Sequence, residues 1–98
     1  MVTITAIIRA RPNAQNIVRD ALLSVVEAVR ETEPHTISYF VTQSVDDQCV
    51  FTTFERFADR LAMERHNASP ALVRFLQRTK LRLDGDVVIH VGEEIASR

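Results

Sequence analysis

The sequence predicts an α+β domain of the ferredoxin-like type, in which helices cover one face of an antiparallel β-sheet. Segments with strand and helix periodicity follow one another in the order β-α-β-β-α-β. The connection from Ser44 to Gln48 is too short for a crossover helix, so the strands on either side are expected to form an antiparallel hairpin. Because parallel crossovers are right-handed, essentially one compact arrangement of these elements remains.

The first strand and helix are marked by a change of period. Apolar and polar residues alternate from Val2 to Ala10, which indicates a strand. The segment lacks a preceding basic stretch and is too short to span a bilayer, so it is not interpreted as a signal peptide. Pro12 and Asn13 then break the strand, and Asn13 is expected to cap helix 1. Apolar residues at three- and four-residue steps continue that helix to about Thr32.

The next two strands follow a proline stop. Glu33 precedes Pro34 and is therefore pushed out of helical geometry, which ends the helix. Strand 2 is expected from His35 to Gln43 and strand 3 from Cys49 to Phe57, since both segments alternate.

The second half of the chain holds a broken helical segment and a last strand. A short helix is expected from Ala58 to about His66, and Ser69-Pro70 supplies an N-cap followed by proline at the first helical position of another. The apolar stripe of that helix is predicted to be Leu72, Phe75, Leu76 and Thr79. After the turn at Asp84-Gly85-Asp86, strand 4 runs from Val87 to about Val91, and residues 93–98 form a polar tail. The whole chain, residues 1–98, is interpreted as one domain.

Alternation sorts the strand residues into two faces. The more apolar set is assigned to the side of the helices: Ile4, Ala6, Ile8, Ile37, Tyr39, Val41, Phe51, Phe57, Val87 and Ile89. The other set is too apolar to be left in water: Thr3, Thr5, Ile7, Ser38, Phe40, Val50, Thr52, Phe54 and Val88. We therefore expect a homodimer in which a second copy covers this face.

Composition and motifs exclude several classes of function. Twelve basic and thirteen acidic residues, with no basic run, argue against a nucleic-acid partner, and no segment suits a membrane. The single Cys49 fits a reducing compartment, by default the cytoplasm. The histidines lack metal-ligand spacing and no glycine-rich phosphate loop is present, so neither a metal nor a nucleotide cofactor is expected. His35 and His90 are interpreted as surface or interface residues.

Glu55 and His66 are the candidates for chemistry. Strand phase places Glu55 in the apolar layer beneath the helices, and His66 lies on one edge of the following helix, so the two side chains could meet. A histidine held there by a carboxylate could act as a general base, with Tyr39 orienting a ring or carbonyl group. The alternative is structural: Glu55 caps helical amides or pairs with Arg56 or Arg65, and His66 only ends a helix.

Four sequence patterns extend along nearly the whole chain. They are Arg11-Pro12 at the end of the first strand, Glu33-Pro34 before the strand that contains Tyr39, Phe51-x-x-x-Glu55-x-Phe57, and Ala62-x-x-x-His66-x-x-Ser69-Pro70. Together they resemble the antibiotic biosynthesis monooxygenase family, and the last pattern is the most specific. The resemblance implies that two ferredoxin-like subunits join their sheets into an α/β barrel, and that each subunit keeps a pocket between sheet and helices.

The resemblance also implies a function, because the family includes cofactor-independent oxygenases and quinol oxidases. The expected activity is that of a cofactor-independent monooxygenase acting on a phenolic or quinol-type aromatic molecule, with His66 as base, Glu55 as its orienting partner and Tyr39 as a substrate contact. Further substrate contacts are expected from Ile8, Phe51, Phe57, Met63 and Phe75. Two alternatives remain open: a dimeric small-molecule binding module without catalysis, and an isomerase of a small carbonyl compound.

The chain departs from the family pattern at several positions. Asn13 and His35 replace glycines, and Phe57 replaces a tryptophan. The haem-degrading branch needs asparagine, tryptophan and an iron-ligating histidine where this chain has Ile8, His66 and Leu76. The resemblance therefore does not imply haem degradation.

Overall fold

The computed structural model describes residues 1–98 and has seven helices and strands. In chain order they are β1 (Val2–Arg9), α1 (Gln15–Thr32), β2 (Thr36–Gln43), β3 (Val50–Phe57), α2 (Arg60–Asn67), α3 (Pro70–Thr79) and β4 (Val88–Glu93). The strands form one sheet in the order β2-β3-β1-β4, and neighbouring strands are antiparallel. The predicted ferredoxin-like arrangement is confirmed, with the second helical segment divided into α2 and α3.

The core lies between the sheet and the helices. The apolar face of α1 is buried as the sequence period predicts, through Val18, Ala21, Leu22, Val25 and Val29. It packs against side chains from β1, β3 and α3, among them Ile8, Phe51 and Phe75. A second cluster joins β1 and β3 to α2 and contains Ile4, Ala6, Phe57, Ala62 and Met63.

Three local interactions set the ends of the helices. Ser69 caps α3, since its Oγ accepts a hydrogen bond from the Leu72 amide at 3.2 Å, as predicted. Asp59 caps α2 in the same way, accepting from the Ala62 amide at 2.8 Å. The backbone of Glu33, which precedes Pro34, leaves helical geometry and ends α1.

The cap predicted for α1 is wrong. The N-cap position is Ala14, and no side chain caps this helix. Asn13 instead adopts a left-handed conformation, with φ at 73°, in the turn closed by the hydrogen bond from the Ala14 amide to the Arg11 carbonyl. Asparagine tolerates this region better than most residues with a Cβ atom, which explains why it can replace a glycine here.

The stripe predicted for α3 is correct at Leu72, Phe75 and Thr79 and wrong at Leu76. The buried residues are Ala71, Phe75 and Thr79, whereas Leu76 is 54% exposed. The residues at 71, 75 and 79 follow a strict four-residue step, and Thr79 is buried because its hydroxyl donates to the Phe75 carbonyl at 2.8 Å. The helix thus turns Leu76 away from the core.

One assignment to the helix-facing side of the sheet is wrong, and another is correct but less buried than a core position. Ile37 lies in a β-bulge between Thr36 and Ser38 and is 46% exposed, because the extra residue interrupts alternation. Ile89 pairs with Ala6 on the expected face but is 57% exposed, since β4 is an edge strand. The predicted polar tail also begins later: β4 continues to Glu93, and the amide of Glu94 donates to the Met1 carbonyl at 2.9 Å.

The outer face of the sheet carries exposed apolar side chains. Phe40 and Phe54 are directly paired across β2 and β3 and are 58% and 40% exposed, and Val88 is 47% exposed. Arg56 on this face forms a two-point ion pair with Glu94, with Nε to Oε1 at 2.8 Å and Nη2 to Oε2 at 3.0 Å. None of the helices is sufficiently long and apolar to cross a membrane.

Candidate active site

A cavity of about 240 Å³ lies between the helix-facing side of the sheet and the three helices. Twelve of its sixteen lining residues are hydrophobic, so the interior is mainly apolar. Residues near its rim, Leu76, Ile89 and Val91, are more than half exposed, so the cavity meets solvent along the β4 edge. The polar lining residues include Thr53, Glu55, His66 and Asn67. The cavity therefore combines an apolar wall with a small group of ionisable and hydrogen-bonding side chains.

Glu55 is held inside this layer by its strand. Alternation along β3 directs Thr53 and Glu55 to the same face, and both residues are buried. The Thr53 hydroxyl donates to Oε2 of Glu55 at 2.7 Å. Arg56, the next residue along, lies on the opposite face with Glu94, so the predicted alternative of a Glu55–Arg56 pair is wrong. Glu55 thus faces the cavity with no arginine partner from its own strand.

His66 lies between two carboxylates. Its Nδ1 is 2.9 Å from Oε1 of Glu33, and its Nε2 is 3.4 Å from Oε1 of Glu55. The predicted meeting of Glu55 and His66 therefore occurs in the fold. The side chain of His66 is 2% exposed, so the imidazole is almost completely removed from solvent.

Aromatic rings pack on the imidazole. Tyr39 lies with its ring centroid 5.3 Å from that of His66, and Phe57 lies at 5.4 Å, both at tilted angles. Burial, together with the nearby carboxylates of Glu55 and Glu33, raises the pKa of Tyr39 far above its usual range. The Tyr39 hydroxyl thus stays protonated and can donate a hydrogen bond into the cavity, which Tyr39 lines.

The electrostatics of Glu55 are those of a carboxyl group in an apolar environment. Burial raises its pKa above the ordinary value of 4.5. The hydrogen bond from Thr53 and the proximity of His66 oppose this shift, while Glu33 adds to it. The pKa of Glu55 remains raised because desolvation is the largest effect. Perturbed carboxyl groups of this kind concentrate at functional sites, although structural networks also produce them.

The structure separates the predicted site residues into two groups. Glu55, His66, Tyr39, Ile8 and Phe75 line the cavity. The other three predicted substrate contacts are buried in the core outside the cavity lining: Phe51, Phe57 and Met63. Phe57 reaches the site indirectly, through its packing on the His66 ring.

The two residues in closest polar contact with Glu55 and His66 were not predicted. Thr53 shares the strand phase of Glu55 and could have been found by that signal. Glu33 was interpreted only as the residue before Pro34, because nothing in its local pattern distinguishes a helix end from a contact with a residue far along the chain. Its Oε1 accepts from the Thr36 hydroxyl at 2.8 Å and lies 2.9 Å from Nδ1 of His66, while Oε2 is buried without a hydrogen-bond partner.

The remaining histidines lie apart from this cluster, and both His35 and His90 are exposed. No group of three or more His, Cys, Asp or Glu side chains lies in a geometry that could hold a metal ion.

Comparisons with known proteins agree with the fold. The chain is similar to PA3566 from Pseudomonas aeruginosa, with 26% identity and a TM-score of 0.88 over 97% of this chain and 94% of that one. It is similar to Rv0793 from Mycobacterium tuberculosis, with 25% identity and a TM-score of 0.89 over 98% and 96% of the two chains. A crystal structure of an antibiotic biosynthesis monooxygenase has the same fold, with a TM-score of 0.89 at 23% identity over 98% of this chain and all of the other.

No curated protein matches the sequence. The sequence model of the antibiotic biosynthesis monooxygenase family matches residues 1–78, which include β1 to α2 and most of α3. That match includes every predicted site residue, from Ile8 to Phe75, and confirms the resemblance noted in the sequence. The chain therefore belongs to the antibiotic biosynthesis monooxygenase family.

Proposed function

We propose that the chain, acting as one domain, is a cofactor-independent monooxygenase of a phenolic or quinol-type aromatic molecule. The observation that carries this proposal is the buried Glu55–His66 pair, 3.4 Å apart, in the lining of an otherwise apolar cavity. A base in a mainly apolar pocket can deprotonate a hydroxylated ring and limit the contact of the resulting anion with water.

The dimensions of the cavity support an aromatic substrate. Its volume of about 240 Å³ exceeds the roughly 150 Å³ at which an apolar protein cavity already accepts benzene. Ile8 from β1 and Phe75 from α3 provide apolar contacts for a ring. The Tyr39 hydroxyl, His66 and Glu55 provide polar contacts for an oxygen substituent. A small ring with at least one hydroxyl group matches this distribution.

The proposed reaction begins with proton transfer from the substrate hydroxyl to the imidazole of His66. The neighbouring Glu55 carboxylate stabilises the imidazolium that forms, and Tyr39 donates a hydrogen bond to a substrate oxygen. The electron-rich substrate anion then reduces dioxygen, so that one oxygen atom enters the substrate and the other leaves as water. The electrons and protons for this water come from the substrate itself.

Oxygen consumption tests the activity. Wild-type protein in metal-free buffer is expected to consume oxygen with at least one member of a panel of dihydroxy-aromatics. His66→Ala is expected to lower kcat about 100-fold or more, because it removes the base. Leu61→Ala, which alters an exposed residue on the same helix, serves as the control.

The outcomes of this assay separate the alternatives. Wild-type rates in His66→Ala would remove His66 from the mechanism. Ligand-induced thermal stabilisation without turnover would favour a binding module. Exchange of a carbon-bound proton without oxygen uptake would favour an isomerase of a carbonyl compound.

We also propose a homodimer formed through the outer face of the sheet. The support is the exposed apolar surface around the Phe40–Phe54 pair and Val88, which a second copy would remove from water. A monomeric mass in solution at micromolar concentration would contradict this proposal. The cytoplasm is the proposed location, on the basis of the single Cys49, which has no other cysteine with which to pair.

A further inference from the structure

We propose that Glu33 is a positioning residue that holds the proton of neutral His66 on Nδ1 and thereby presents Nε2 to the cavity as the proton acceptor. This inference rests on the proposed function for its catalytic consequence. The tautomer of the buried His66 ring can be measured without a substrate.

Two carboxylates compete for one imidazole. Oε1 of Glu33 is 2.9 Å from Nδ1, whereas Oε1 of Glu55 is 3.4 Å from Nε2. A neutral imidazole has one N–H donor, and a carboxylate can only accept. The shorter contact is the hydrogen bond, so the proton lies on Nδ1 and the lone pair on Nε2.

The other groups around the ring offer weaker acceptors. The Glu55 carboxylate already accepts a hydrogen bond from the Thr53 hydroxyl at 2.7 Å through Oε2, and its Oε1 lies 3.4 Å from Nε2, beyond the usual N–H···O distance. Tyr39, the other titratable side chain packed on the ring, stays protonated and does not accept the proton. Glu33 is therefore the group that fixes the tautomer.

The two carboxylates also differ in their position relative to the cavity. Glu55 and His66 line the apolar cavity, but Glu33 does not. Glu33 borders a separate depression of about 620 Å³, which Arg65 and His35 also line. The contact on Nδ1 thus lies on the side of the ring away from the apolar cavity, and Nε2 lies on the side of Glu55, which lines that cavity. Glu33 acts through His66 and has no contact with the substrate itself.

The anchoring of Glu33 supports a positioning role. Its Oε1 accepts from the Thr36 hydroxyl at 2.8 Å as well as from the ring, and the Glu33–Pro34 backbone is fixed at the end of α1. Because one oxygen of this carboxylate contacts both the Thr36 hydroxyl and the ring, the carboxylate cannot easily move with the imidazole if the ring rotates. The ring is consequently held in one orientation as well as in one tautomer.

The test uses ¹⁵N-labelled histidine and the ring nitrogen chemical shifts, which distinguish protonated from unprotonated nitrogens. The exposed His35 and His90 serve as internal references, and a His66→Asn variant identifies the His66 signals. In neutral wild-type protein, Nδ1 is expected to be the protonated nitrogen. In Glu33→Gln, the only remaining carboxylate at the ring is Glu55, so the population is expected to shift towards the Nε2–H tautomer.

Two further variants act as controls. Glu31→Gln changes an exposed carboxylate two residues away and is expected to leave the tautomer unchanged. Glu55→Gln is the mirror variant: it removes the other carboxylate and is expected to retain the Nδ1–H tautomer. A Glu33→Gln variant that keeps Nδ1–H would overturn the proposal. Loss of Nδ1–H in Glu55→Gln would also overturn it, even if Glu33→Gln did not fold.

The catalytic consequence is read separately with any substrate that the oxygen panel identifies. Glu33→Gln is expected to lower kcat about 100-fold, with a change in KM of less than about twofold because Glu33 does not contact the substrate. Absence of turnover in wild-type protein would contradict the proposed function while leaving the tautomer measurement decisive for Glu33. A tautomer shift without loss of kcat would reject the assignment of Nε2 as the acceptor.

Discussion

The two faces of the sheet differ most clearly along β3, where successive residues experience opposite environments. Four helix-facing side chains are buried: Phe51, Thr53, Glu55 and Phe57. The four side chains between them are half-buried or exposed: Val50, Thr52, Phe54 and Arg56. Both sets contain an aromatic residue and a charged residue, so composition alone does not separate them. The difference is that three helices cover one face and no element of the chain covers the other.

The charged residue on each face of β3 therefore has different surroundings and different partners. Glu55 is surrounded by protein and has Thr53 and His66 as partners, and its pKa is raised by burial. Arg56 forms its ion pair with Glu94 near solvent, where water screens the interaction. On the covered face burial is the main cause of the shifted pKa, whereas on the outer face the hydrogen bonds of the ion pair raise the pKa of Arg56 and lower that of Glu94.

The largest expected contrast compares two phenylalanines of β3. Phe57→Ala is expected to destabilise the fold by about 3–5 kcal/mol, because a fully buried ring is replaced by a cavity. Phe54→Ala is expected to cost about 1 kcal/mol or less at a dilution where the chain is monomeric, since this ring is already 40% exposed. Urea unfolding followed by circular dichroism measures both values. Equal losses would show that the two faces are equally buried in the single chain.

The next contrast concerns association. Phe54→Arg places a charge in the middle of the exposed apolar surface and is expected to weaken the proposed dimer by about 2 kcal/mol or more, roughly 30-fold in Kd. Leu61→Arg, at a 53% exposed position on α2, is the matched control and should leave association unchanged. Sedimentation equilibrium gives both constants. A dimer that survives Phe54→Arg but not Leu61→Arg would place the interface on the helical side.

The smallest effect is the pH dependence of stability contributed by Glu55. Because its folded-state pKa is raised, the folded protein binds more protons than the unfolded chain above about pH 4.5, and stability falls as pH rises from there through the folded pKa. In Glu55→Gln this contribution disappears, so the variant is expected to gain stability relative to wild type as the pH increases over that window. Thermal unfolding at a series of pH values measures the difference. A difference that is constant with pH would mean that Glu55 titrates normally in the folded protein.

The fold could be predicted largely because its determinants are local. Alternation identified the strands and their faces, Pro34 marked the end of α1, and Ser69-Pro70 marked the start of α3. The short connection between β2 and β3 and the handedness of the crossover then fixed the strand order. The wrong predictions concern positions where one residue type suits two local structures. Asn13, for example, can cap a helix or occupy a left-handed turn, and which of these it adopts depends on the tertiary structure around it.

The candidate site could be predicted only in part. Strand phase placed Glu55 under the helices and helix phase placed His66 near the sheet, so their meeting followed from two periodic elements. The lining of the cavity could not be predicted from these periods. Phe51 and Met63, for example, are predicted substrate contacts, but they are buried in the core and do not line the cavity. Which buried side chains surround empty space depends on how all of them pack together, and no periodicity contains that information.

The sequence by itself determined the order of the elements, the two faces of the sheet and the presence of a carboxylate and a histidine on the covered side. These properties follow from backbone geometry and from hydrophobic periods, which act over a few residues. The tertiary structure decided that Glu33 contacts His66, thirty-three residues further along the chain. It also decided that Ile37 occupies a bulge and that a cavity remains beneath the helices. These features depend on how the end of α1 docks beside α2 and on how closely the side chains of the core can pack, which only the assembled chain fixes.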